Sequence, residues 1–136
     1  MTVNDKPGDC REVPLPVFDR KEAVDRLGGD EDILREAAAM FLARIPFHRK
    51  ALAEACGRRD FTAIAALGHT LKSTAATVGA KALQSQFIAL EKAGREQCPE
   101  TMPSIIAAIE REFSRYREAV YPEQRPAEKN IPPPRA

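Results

Sequence analysis

Tryptophan is absent from this 136-residue sequence, cysteine occurs three times, and no apolar run approaches the ~20 residues needed to cross a bilayer. The cysteines, Cys10, Cys56 and Cys98, are odd in number, far apart and without a CxxC pair. That pattern argues against a disulfide framework and against a cysteine-based zinc site. An excess of charge is also missing: 21 basic residues stand against 20 acidic ones, for a net +1. A nucleic-acid binder that relies on a strongly basic surface is thereby disfavoured. There is no GxxxxGK[ST] or other glycine-rich nucleotide loop, so neither familiar ATP-binding loop is available. Neither HExxH nor HxxxH spacing occurs, and no cofactor or metal is expected on this chain. The opening Met1-Thr-Val-Asn-Asp-Lys-Pro lacks the apolar core of a signal peptide, and a cytoplasmic location is expected.

What is present is a globular composition, 43% hydrophobic and 30% charged, with length for one domain. Residues 1–16, with Pro7, Pro14 and Pro16, read as a flexible N-terminal arm. Residues 122–136 carry Pro122, Pro126 and the run Pro132-Pro133-Pro134, and read as a disordered tail. Between them, over 17–121, the apolar period is helical throughout and no alternating β-branched segment occurs. Asp19 with Glu22 caps a short helix to Leu27, which Gly28-Gly29 ends by accepting left-handed backbone. Asp30 caps a long helix to about Cys56 with the stripe Leu34, Ala37, Phe41, Ile45 and Leu52, kinked at Pro46. Asp60 opens a helix that stops near Gly79. A further helix over about 81–97 aligns Leu83, Phe87, Leu90 and Gly94. The last, from about Thr101, aligns Met102, Ile105, Ile109, Phe113, Tyr116 and Val120. The expected fold is all-α, an antiparallel four-helix bundle with a short additional N-terminal helix.

The segment Phe61 to Gly79 holds the chemistry. At about 100° per residue, Phe61, Ile64, Leu67, Gly68, Leu71, Ala75 and Val78 gather on one face. His69 falls ~150° from the centre of that face and should point to solvent. Its outer-face neighbours are Thr62, Ala65, Ala66, Lys72, Ser73 and Ala76, small in every case but the lysine. An imidazole so cleared can enter another protein's cleft, and a cation three residues on lies beside any anion carried by the ring. Neutral imidazole, with an ordinary pKa of about 6.5, has a free lone pair at cellular pH, which suits reversible capture of a phosphoryl group. The plainer reading is a surface histidine among alanines chosen for helix propensity.

The string His69-Thr70-Leu71-Lys72-Ser73-Thr74-Ala75-Ala76-Thr77-Val78-Gly79-Ala80 resembles the signature of the histidine phosphotransfer (HPt) domain family. Phe18-Asp19, Leu27-Gly28-Gly29-Asp30, Phe41-Leu42 with Ile45-Pro46, and Asp60-Phe61 continue the likeness over roughly residues 17–120. The resemblance implies that His69 is the phosphoacceptor and Lys72 the cation that stabilises the phosphoryl charge. In several members a glutamine or glutamate on the following helix orients the imidazole, and Glu91 takes that place here. A carboxylate accepting from Nδ1 would leave Nε2 to attack; the other reading of Glu91 is a solvated charge. The sequence departs from the family where many members have glycine after the lysine, since Ser73 stands there, which bears on how closely a partner docks.

On this resemblance the chain is expected to be a phosphocarrier of a two-component phosphorelay, without an ATP site of its own. It would accept and donate a phosphoryl group between receiver-domain aspartates. The implied partners are response-regulator receiver domains and a hybrid histidine kinase, with Mg²⁺ on the receiver. No nucleic-acid or membrane partner is expected, and the chain should be a monomer. Ala65, Ala66, Ser73 and Ala76 would line the docking surface. The alternative is a non-phosphorylated helical adaptor that binds or sequesters a receiver or kinase. The other histidine, His48, lies on the stripe of its helix and reads as packing. The cluster Arg44, Arg49, Lys50, Arg58 and Arg59 reads as a solvated helix end that could also steer an acidic partner.

Overall fold

A computed structural model describes residues 15–122; the segments 1–14 and 123–136, which hold most of both arms, lie outside the described residues. The described chain is helical, with no strand among its residues: α1 (Arg20–Arg26), α2 (Glu31–Ala43), α3 (Ile45–Gly57), α4 (Phe61–Thr77), α5 (Lys81–Glu96) and α6 (Met102–Val120), with a 3₁₀ turn at Pro99–Thr101 before the last. The three aspartates that were expected to start helices do so. Asp19 accepts from the Glu22 amide, Asp30 from those of Asp32 and Ile33, and Asp60 from that of Ala63, each at 2.9–3.2 Å. These caps satisfy amides that have no partner inside the helix.

The expected long helix from Asp30 to Cys56 is two helices. The break falls at Arg44, whose amide donates to Met40 and Phe41 carbonyls and whose backbone ends α2 and begins α3. Pro46 has no N–H to continue the ladder and sits in the first turn of α3, where that donor is not needed. Apolar residues still face inward across the break, so Leu34, Phe41, Ile45 and Leu52 are all buried.

The core runs between α2–α3, α4, α5 and α6, with Ile64, Leu71, Leu83, Phe87, Leu90, Ile109, Phe113 and Tyr116 at its centre. Aromatic rings tie α2 and α5 to α6: Phe41 meets Phe113 at 6.3 Å and Tyr116 at 5.7 Å, and Phe87 meets Phe113 at 6.2 Å. Tyr116 is fully buried and its hydroxyl donates to the Val78 carbonyl at 2.7 Å, latching α6 to the end of α4. Burial of that phenol pushes its pKa far up, so it stays a neutral donor. The Asp19 amide donates to the Gly79 carbonyl at 2.7 Å, which seats α1 on the same end of α4. Pro16, expected in the free arm, is also tied down: its carbonyl accepts from the Ala82 amide at 3.0 Å, an amide of the first turn of α5.

The closest helix pair is α4 with α5. A Cβ on Gly68 would lie 2.7 Å from the Glu91 amide nitrogen, and one on Gly94 would lie 2.7 Å from that of Ala65. Two glycines therefore let the backbones touch, which longer side chains at these positions would forbid. The pairing of residue 68 with 91 and of 65 with 94 shows that the two helices run antiparallel. Among the described residues, no helix is long and apolar enough to cross a membrane.

Candidate functional site

The glycine contact decides where Glu91 reaches. With α5 drawn onto α4 at Gly68, the next residue of α4, His69, and the residue one turn on, Lys72, flank the Glu91 side chain. Glu91 Oε2 accepts from His69 Nδ1 at 3.1 Å, and Oε1 accepts from Lys72 Nζ at 2.7 Å. Arg95, one turn along α5, brings Nη2 to Oε2 at 2.5 Å. The carboxylate is only 4% exposed, whereas the imidazole it holds is 62% exposed. The solvated-charge reading of Glu91 is therefore set aside, because a residue on the flank of the core stripe faces a helix packed at backbone distance.

The electrostatics of this group follow from its partners. The hydrogen bond from Lys72 lowers the pKa of Glu91 most, burial opposes it, and His69 and Arg95 lower it further. The net shift is downward, so Glu91 is ionised at neutral pH. An ionised carboxylate can only accept, so the Nδ1 atom that touches it must carry the ring proton. In the neutral ring Nε2 then holds the lone pair, turned away from Glu91 on the exposed side.

The small residues predicted to surround His69 are not equally available. Ala66 and Ser73 are exposed. Ala65 is half-covered, since its backbone is the surface against which Gly94 of α5 packs. Ala76 is 9% exposed and does not belong to an open docking surface. It lies in the last turn of α4, where the chain reverses and the Gly79 amide donates to its carbonyl. The cleared surface is thus narrower than the helical wheel implied, because α5 occupies one flank of it.

Arg95 was missed by sequence reasoning. The signal was present, since Glu91 and Arg95 are four residues apart on one helix, the spacing at which opposite charges meet. It becomes informative only once Glu91 is known to face His69.

The remaining candidates stay outside the site. His48 is half-buried, and burial together with the nearby Arg44 lowers its pKa, in keeping with packing. Arg49 pairs with Glu110 at 2.6 Å and Arg58 with Asp60 at 3.8 Å, while Arg44 and Arg59 lie over the Phe47 and Phe61 rings. Four of the five basic residues are thus engaged within their own fold. Concave regions lined by Phe18, Leu34 and Tyr121, and by Cys56, Phe61 and Ile106, do not include His69. The imidazole stands on an open helix face.

Against this geometry, comparison with protein-family models finds a match to the Hpt domain over residues 36–119. The matched stretch opens within α2, closes within α6, and contains His69, Lys72, Glu91 and Arg95. Comparison with curated proteins and with solved structures gives no match.

Proposed function

This chain belongs to the Hpt domain family, whose members serve phosphotransfer in phosphorelays, and on that premise we propose that it is a phosphocarrier with His69 as its acceptor. The observation that carries the proposal is the pairing of His69 Nδ1 with the buried, ionised Glu91 at 3.1 Å, which leaves the Nε2 lone pair on a ring 62% exposed.

The donor would be an aspartyl phosphate of a receiver domain. The Nε2 lone pair attacks phosphorus in line with the bond to the aspartate oxygen. An N–P bond forms, the P–O bond breaks, and its electron pair returns to the aspartate as carboxylate. The Nδ1 proton stays on the ring, which gains a positive charge, and Glu91 faces that charge directly. Lys72, one helical turn from His69, would turn from Glu91 to the new phosphoryl anion. Onward transfer to a second receiver aspartate is the same step reversed. Mg²⁺ and most of the transition-state stabilisation would come from the receiver, so this chain supplies the nucleophile and its orientation.

Mixing the protein with a phosphorylated receiver should produce acid-labile, base-stable phosphate on the wild type and none on His69→Gln. Binding to receivers without any such label would favour the adaptor reading and overturn this one.

A further inference from the structure

The acid–base cluster contains one cation more than a resting imidazole needs. Glu91 is the single buried anion of this cluster, yet two cations face it on opposite oxygens: Lys72 donates a hydrogen bond to Oε1 at 2.7 Å, and Arg95 pairs with Oε2 at 2.5 Å. Lys72 is therefore occupied at Oε1 in the unphosphorylated protein. If it turned to a phosphoryl group with no second cation present, Glu91 would keep only the ring at Oε2, and its buried Oε1 would lose its donor, which is unfavourable.

We infer that Arg95 is a positioning residue that keeps Glu91 neutralised when Lys72 turns from the carboxylate to the phosphoryl group. The inference rests on the reading of His69 as the phosphoryl acceptor.

The charges favour it. With a neutral imidazole, Glu91, Lys72 and Arg95 together carry one net positive charge. A ring protonated at Nδ1 and bearing a dianionic phosphoryl at Nε2 adds one net negative charge, so the phosphorylated cluster is neutral. Without Arg95 the same cluster would end with a net negative charge beside a partly desolvated anion. The geometry favours it as well. A guanidinium presents several donors in a fork that matches a carboxylate, so Arg95 can take both oxygens once Lys72 releases Oε1. Its side chain is 67% exposed, which leaves it free to make that adjustment. Arg95 touches no reacting atom; it acts through Glu91.

The test is a double-mutant cycle on the lifetime of phosphorylated His69, using the full chain phosphorylated chemically with potassium phosphoramidate and the site located by mass spectrometry. Chemical labelling needs no receiver, so a failed relay assay leaves this result readable. Arg95→Gln should shorten the lifetime about tenfold, the scale of one charge-assisted hydrogen bond. Arg95→Lys should restore most of it. In a Glu91→Gln background, where no carboxylate awaits compensation, Arg95→Gln should have little effect. An equal loss in both backgrounds would overturn the inference, as would failure of Arg95→Lys to rescue. Unfolding midpoints of each variant separate these outcomes from a general loss of structure.

Discussion

Gly68 and Glu91 meet backbone to backbone: a Cβ added to Gly68 would stand 2.7 Å from the Glu91 amide nitrogen and 2.9 Å from its Cα. The absence of a side chain on one helix thus sets how far a carboxylate on the next can reach. The residue that follows Gly68 is the imidazole the carboxylate holds, so packing and chemistry are coupled through a single missing methyl.

Gly68→Ala should therefore act on both. Backbone atoms cannot yield as a flexible side chain would, so α5 must shift, at a cost of about 1–3 kcal/mol. The His69–Glu91 hydrogen bond should lengthen, and the ring should lose its tautomer preference. Urea denaturation checks the first effect and ¹⁵N chemical shifts of the imidazole the second. A variant as stable as the wild type with an unchanged tautomer would contradict the close approach.

Glu91 should make stability depend on acid pH. Its pKa in the folded protein lies below the ordinary 4.5, chiefly through the Lys72 hydrogen bond, so its stabilisation is fully present above that value. As pH falls from there through the lower folded pKa, the contribution is lost. Unfolding midpoints across this range should decline more steeply in the wild type than in Glu91→Gln. Parallel slopes would mean that Glu91 is not held by its partners.

Lys72→Gln should leave His69 able to accept a phosphoryl group but should lower the equilibrium share of phosphohistidine about tenfold, the scale of one charge-assisted hydrogen bond. Quantifying label on the protein against label on the donor receiver measures this directly. Undiminished phosphohistidine would remove Lys72 from the proposed mechanism.

Tyr116→Phe should cost stability and spare transfer. The Val78 carbonyl would lose its buried donor, at about 1–3 kcal/mol, while His69 lies more than two turns away along α4. Thermal unfolding and the phosphotransfer rate, measured side by side, should separate. A matching fall in both would mean that the far end of α4 contributes to the chemistry.

Much of this arrangement was legible in the order of residues. Helical periodicity marked the inward faces of α4, α5 and α6, and Asp19, Asp30 and Asp60 marked three starts, because both signals depend on nearby residues alone. The outward position of His69 followed from its angle relative to Ile64, Gly68, Leu71 and Ala75. What could not be read was anything requiring the distance between two helices. Ala76 looks exposed on a wheel of one helix, yet it is 9% exposed in the folded chain. Glu91 and Arg95 gain meaning only from the backbone contact at Gly68. The division at Arg44 was anticipated as a kink, since Pro46 signals an interrupted ladder but not whether the chain bends or restarts.

The latch from Tyr116 to Val78 and the seat of α1 on Gly79 converge on the same end of α4. Both anchors grip the helix past its last turn, more than two turns from His69, so they fix where α4 stops without touching the imidazole. Stability and the chemistry of the ring are thus held by separate parts of one helix, and a change at one end need not be felt at the other.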